Sequence, residues 1–270
     1  MSFNEEKATK LALRIVGDNP GCTTSFIKEE IERTYYFSAE DLEPLANRND
    51  RKYTQIIRNL TSHFESNEFG RRVDRVKEGR FWKFTLKPAE NVNYVQEVNE
   101  EVFEAIDDLK ETVEILNTPT GYSSQEEIDN SSNRRPEAGN GTGATRRYKT
   151  DTKLAKTALE RANHKCELEA IVPNRTHTTF KTNTTDNYTE AHHLIPMKAQ
   201  ASFGEDKNLD RIENIISLCP TCHRAVHYGT RDEKVPLLQA LYNARKTALE
   251  NCQDNITIDF DDLINDYYSK

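Results

Sequence analysis

The stretch that decides the fold reads Glu190-Ala191-His192-His193-Leu194-Ile195-Pro196, followed by a polar loop and then Asn214-Ile215-Ile216-Ser217-Leu218-Cys219-Pro220-Thr221-Cys222-His223-Arg224-Ala225-Val226-His227. Tyr188 to Pro196 alternates weakly, as a strand does, and stops at a proline; Asn214 to Leu218 supplies a second strand. Pro220 suits the first turn of a helix, where a missing N–H costs no hydrogen bond. On that helix His223 and His227 stand four apart, so both imidazoles project from one face. Four of the seven histidines therefore fall on one predicted strand–strand–helix unit. Two imidazoles one turn apart can hold a divalent ion, and His192 on the facing strand can close the site. Successive strand residues point to opposite sides, so His192 and His193 divide the work, one binding metal and the other taking a proton.

Hydrolysis of a phosphodiester needs both functions: a base for the attacking water and a cation beside the phosphate. In this order the residues from Glu190 to Pro196, with Asn214, Leu218, Cys219, Cys222, His223 and His227, resemble the HNH (ββα-metal) endonuclease family over roughly residues 160 to 230. The resemblance implies that His193 is the general base, that His192, His223 and His227 ligate the catalytic ion, and that Asn214 orients the base or its loop by hydrogen bonding. Magnesium is the usual expectation for phosphoryl transfer; manganese, nickel or zinc also suit a histidine-rich site.

In many HNH proteins two C-x-x-C pairs clamp a structural zinc. Here Cys219-x-x-Cys222 is intact, but its upstream partner reads Cys166-Glu167-Leu168-Glu169, with Glu169 where the second cysteine is expected. The expected zinc ligands are Cys166, Cys219 and Cys222, completed by Glu169 or by His164; the alternative is that these cysteines only pack. A finger-like reader using all the histidines on zinc is disfavoured, because adjacent His192 and His193 cannot comfortably serve one tetrahedral ion. His177, in a polar Thr/Asn run, receives no role. His63 reads as a surface or capping residue, and Cys22 and Cys252 as packing residues. Arg161, His164, Lys165 and Arg224 either meet phosphates or serve solubility.

Working outward, residues 4–87 read as a winged helix-turn-helix. Ala8, Leu11, Ala12 and Ile15 share a helical face; Thr23 and Thr24 cap a second helix; Tyr53, Ile56, Ile57, Leu60 and Phe64 mark a third. Strands from Arg71 to Val76 and Arg80 to Leu86 flank the turn Lys77-Glu78-Gly79-Arg80. From Asn47 to Lys87 there are eleven Lys or Arg against five Asp or Glu. Such a basic helix and hairpin suit DNA, with Arg51, Lys52, Gln55, Arg58, Asn59, Arg80 and Lys83 as contacts; a protein-binding winged helix is the alternative. Residues 88–117 form an acidic amphipathic helix whose seam, Val95, Val98, Val102, Ile106, Leu109, Val113 and Leu116, either pairs with a second copy or bridges the domains. Residues 118–147, rich in Ser, Gly, Asn, Thr and Pro, read as a flexible linker. Residues 148–270 form the nuclease domain, completed by helices over Val235–Leu249 and Ile256–Tyr268.

Composition bounds the rest. A net charge of −8 argues against a protein that simply coats nucleic acid. Five cysteines, an odd count, do not read as a disulfide framework. No run of eighteen apolar residues exists, and the N-terminus lacks a basic-then-apolar leader, so the expected place is the cytoplasm. The sequence thus predicts an α+β restriction-type endonuclease acting on double-stranded DNA, as a homodimer and away from membranes. The alternatives are an endonuclease that cuts only methylated DNA and, in another class, a non-catalytic zinc-containing DNA-binding regulator.

Overall fold

The computed structural model describes residues 2–45, 50–135, 137, 148–204 and 206–268, with the backbone alone at 96–107. The chain divides into two units, Met1–Phe103 and Glu104–Lys270.

In the first unit Asn4 caps helix α1 (Glu5–Asp18), its side chain accepting from the Lys7 N–H. Strand β1 (Cys22–Thr23) leads into α2 (Thr24–Thr34), capped by Thr23. Helix α3 (Lys52–Ser62) and the short α4 (Glu68–Arg72) precede the hairpin of β2 (Val73–Glu78) and β3 (Phe81–Leu86). The antiparallel sheet has the order β1-β3-β2, and the hairpin turns at Gly79, whose φ of +60° favours glycine. Arg71 and Arg72, expected in the strand, instead end α4, because Asn67 caps a helical turn just before them. Ile15, Val16, Ile27, Ile31, Ile57, Leu60, Phe69 and Phe84 fill one core, as the helical and alternating patterns require. The N-terminal part of α5 (Pro88–Asn117) also belongs here, with the Tyr94 ring seated against Gly17, where a Cβ would come within 2.5 Å of it.

The second unit takes up the rest of α5, whose Ile115 packs on Ala155 and Leu159. The flexible linker expected over 118–147 gives way at its start to α6 (Gln125–Ser132), opened by a Ser124–Glu127 capping box. Ile128 of α6 enters a core with Leu154, Ala158 and Ile215. The carbonyl of Ser132 accepts from Asn208 Nδ2 at 3.1 Å. Residues 136 and 138–147, with the glycine-rich part of that segment, lie outside the described residues. Helix α7 (Thr152–Arg161) and the one-turn α8 (Leu168–Ile171) follow. Strands β4 (Glu190–His193) and β5 (Ile215–Leu218) then pair antiparallel, with His192 opposite Ile216 and His193 opposite Ile215. Between them lie a 3₁₀ turn (Met197–Ala199) and α9 (Gln200–Phe203). Pro220 opens α10 (Pro220–Tyr228), completing a ββα unit, and α11 (Arg231–Asn251) and α12 (Phe260–Tyr267) stack beyond it. Among the described residues no helix is long and apolar enough to cross a membrane.

Candidate active site

Strand alternation sets the site. On β4 Glu190 and His192 face the buried side, whereas Ala191 and His193 face the other. One turn of α10 places His223 and His227 over His192. His227 Nε2 lies 3.2 Å from His192 Nδ1 and 3.2 Å from His223 Nε2. A tetrahedral ion with bonds of about 2.0–2.1 Å holds ligand atoms about 3.3 Å apart, so this spacing fits three imidazoles around one metal. Burial disfavours a charge on His192 and His227. It holds His192 well below the usual histidine range, helped by the neighbouring His227 and His223. It also pushes His227 down to about 3, with the charges of His223, Lys198, Arg224 and Lys234 adding to the effect.

Each of two rings has its second nitrogen engaged. His223 Nδ1 lies 2.5 Å from Glu190 Oε2, and Tyr188 donates its hydroxyl to Glu190 Oε1 at 2.9 Å. Burial would raise the Glu190 carboxyl, but the bond and charge of His223, with the Tyr188 hydroxyl and the charge of Arg224, together outweigh it and hold the group below its usual range. His192 Nε2 lies 2.9 Å from the Tyr268 hydroxyl.

His193 turns to a different environment. Its Nε2 lies 2.9 Å from Asp210 Oδ1, and Asp210 Oδ2 in turn accepts from the Asp151 N–H at 2.6 Å. Burial opposes a charge on His193, but the Asp210 bond and the charges of Asp210, Glu111 and Asp108 outweigh it and raise the imidazole above its ordinary value. Asn214 does not touch that ring. Fully buried, it accepts from the Ile195 N–H and donates to the carbonyls of Ile195 and Leu209, each at 2.9 Å, so it fixes the loop between the strands.

A second cluster, Cys166, His177, Cys219 and Cys222, lies elsewhere in this unit. His177 Nδ1 is 3.4 Å from Cys222 Sγ, and its Nε2 faces the Val172 carbonyl at 3.2 Å. Hydrogen bonds among the three thiols draw Cys219 far below its ordinary value and push Cys166 and Cys222 up, so without a metal one thiolate is shared between two protonated neighbours. Neither Glu169 nor His164 lies in this group, in which His177 stands beside the three cysteines. Glu167 exchanges hydrogen bonds with the backbone of Ser217, and Leu168 is fully buried. With those two turned inward, the next step of the helical turn carries Glu169 out to solvent. No periodic pattern surrounds His177, so sequence reasoning had no signal for it. For Glu190 the signal was present, since its spacing of two from His192 places both on one strand face. Asp210 and Tyr268 come from a loop and from the far end of the chain.

In the first unit the residues expected to meet DNA lie on α3 and the hairpin, several of them in local ion pairs. Lys52 meets Glu43 at 2.7 Å, Arg58 meets Asp50 at 2.9 Å and Lys83 meets Glu78 at 2.6 Å. Arg51 precedes α3 and is exposed, Gln55 and Asn59 are half-buried, and the Arg80 guanidinium lies over the Phe81 ring.

Residues 178–229 match the HNH endonuclease family. This part of the chain is an HNH endonuclease domain, the hydrolase class that its ββα unit and histidine cluster define. The chain is also 33% identical over 63 residues to the type IV methyl-directed restriction enzyme EcoKMcrA of Escherichia coli (strain K12), a match covering 23% of this chain and 20% of that protein. The chain thus matches only a fifth of that curated relative's length. No solved structure matches it significantly.

Proposed function

We propose that this protein is a DNA endonuclease of restriction type, using His193 as general base beside an ion cage of His192, His223 and His227. The observation that carries this reading is the convergence of three imidazole nitrogens on one side of β4, with the His193–Asp210 pair on the other. His192, His223 and His227 would hold a divalent ion, whether magnesium, manganese or nickel, whose charge would offset that building on the phosphate and the leaving oxygen. With Asp210 accepting from Nε2–H, Nδ1 of His193 is the nitrogen left to take a proton from water as its oxygen attacks phosphorus. Asn214 keeps the loop behind His193 in place.

A second reading, that cleavage depends on DNA modification, is favoured by the similarity to a methyl-directed restriction enzyme. Digesting matched plasmids with and without methylated bases, across magnesium, manganese, nickel and zinc, separates the two readings. Cleavage by the wild type and its loss in His193→Ala with DNA binding retained is the expected result. A wild type that binds DNA but cuts none of these substrates makes it a non-catalytic regulator instead.

The first unit is the target reader in this scheme, a winged helix in which α3 and the hairpin approach DNA, exchanging their local carboxylate partners for phosphates. Cys166, Cys219, Cys222 and His177 hold a structural zinc ion. The seam of α5, exposed at Leu109, Val113 and Leu116, pairs two copies so that both strands are cut. Light scattering of the Leu109→Lys, Val113→Lys double variant checks this; an unchanged dimer, or a wild type that is monomeric, removes the idea. The reading places the enzyme in the cytoplasm.

A further inference from the structure

The C-terminal helix reaches the histidine cage through a single hydroxyl. Tyr268, which caps α12, is 4% exposed. Its oxygen lies 2.9 Å from His192 Nε2, 2.9 Å from the Leu194 carbonyl and 3.3 Å from the His193 carbonyl. A phenol has one proton to give, and a carbonyl can only accept. If that proton went to His192 Nε2, the Leu194 oxygen would face a phenol lone pair at hydrogen-bond distance in a buried site. The arrangement that satisfies every group sends the phenol proton to the carbonyls and lets the phenol oxygen accept from Nε2–H of His192.

That choice decides what the other ring nitrogen can do. A neutral imidazole carries one proton, so an occupied Nε2 leaves a lone pair on Nδ1. Nδ1 is the atom 3.2 Å from His227 Nε2. With the opposite tautomer, an N–H would point into the cage and close it to a cation. We propose that Tyr268 is a positioning residue for the metal centre, holding His192 in the tautomer whose Nδ1 lone pair joins His223 and His227. This rests on the reading of the three histidines as an ion cage. It gives α12, about seventy residues downstream of β4, a function beyond packing: it sets the proton of a ligand on β4. Glu190 does the corresponding service for His223 from within the ββα unit, so the two rings are fixed by different parts of the chain and through different nitrogens.

The test uses the full-length protein. In the metal-free wild type, ¹⁵N-histidine NMR is expected to show His192 protonated on Nε2. In Tyr268→Phe, which keeps the ring, that preference is lost and Mn²⁺ affinity, measured by calorimetry or by the electron spin resonance of free Mn²⁺, falls about tenfold or more. The melting curve of the metal-free variant checks its folding, and the NMR assignment in the wild type needs no variant at all. A His192 proton on Nδ1 in the wild type overturns the proposal, as does Mn²⁺ affinity equal in wild type and variant. If the wild type binds neither Mn²⁺, Ni²⁺ nor Zn²⁺ at the cage, the ion-cage reading fails and takes the role of Tyr268 with it. Wild-type binding with an indifferent variant removes Tyr268 alone.

Discussion

Helix α10 serves two clusters that differ in nearly every chemical respect. Cys222 and His223 are consecutive, so they leave the helix about 100° apart, one toward two other thiols and an imidazole, the other toward two other imidazoles. Around the cysteines the supports are backbone groups together with arginines: the Val172 carbonyl on His177, the Ser217 amide and carbonyl on the knuckle at Glu167, Arg245 on Glu167, and Arg175 beside Cys222. Around the histidines they are acid and phenol side chains, Glu190 and Tyr268, which decide where ring protons sit. Thiolates are soft ligands and select zinc, whereas imidazoles accept a broader range of ions. The difference teaches that one short helix can be held rigid from one side while its other side is kept reactive.

The sharpest way to break this comparison is to damage each cluster separately. Cys219→Ser is expected to release the zinc and, because metal binding there is coupled to folding, to lower the melting temperature of the second unit by roughly 10 °C or more. His227→Ala is expected to lower cleavage by about a thousandfold while leaving the zinc content and melting temperature close to wild type. His227 suits this test better than His223, whose loss would strand the buried Glu190 carboxylate. Metal analysis, calorimetry and plasmid nicking read the three quantities. Should Cys219→Ser melt like the wild type, or His227→Ala shed zinc, the two clusters are not the independent sites described.

How far each cluster could be read from the sequence follows from where its residues sit. His192, His223 and His227 lie on a strand and a helix, where periods of 2 and 3.6 say which side chains meet. His193 and Asn214 were singled out by family resemblance, and the hydrogen bonds of Asn214 go to the loop, one of the two places expected for them. His177 was not, because it lies in the irregular segment before β4, where no period relates it to Cys222. Inward Glu167 and Leu168 turn Glu169 outward, a placement that a spacing count alone does not show. Reading 118–147 as linker followed its composition, and missed that Ser124 and Glu127 have the spacing of a capping box and that Ile128 can anchor a helix.

This exchange of Glu169 for His177 carries the next test, of intermediate size. His177→Ala is expected to weaken zinc retention against a chromogenic chelator by about ten- to a hundredfold, and Glu169→Ala to leave it unchanged. His177→Cys restores a fourth soft ligand and retains zinc. The opposite ranking of the two alanine variants would return Glu169 to the site.

The smallest effect, and the most specific to the reactive side, concerns Asp210. A general base works in its deprotonated form, so activity is lost as pH falls through the pKa of His193. Burial alone would lower that pKa, but the Asp210 bond, with the charges of Asp210, Glu111 and Asp108, raises it, which places the acid limb of the rate profile above the ordinary histidine value. Asp210→Asn removes the largest of the raising influences. The limb is therefore expected to move to lower pH, while the rate on the plateau falls about tenfold, because the ring loses its anchor and the base is weaker. The same substitution sends a linked effect into stability. A group whose folded pKa is raised stabilises the fold at pH values below its unfolded pKa, and that contribution disappears as pH rises through the folded value. Wild type should thus be the more stable protein on the acid side of neutrality, with the gap to Asp210→Asn narrowing toward alkaline pH. A rate profile whose acid limb stays in place in the variant would mean that Asp210 only braces the Asp151 amide, and that some other group sets the base.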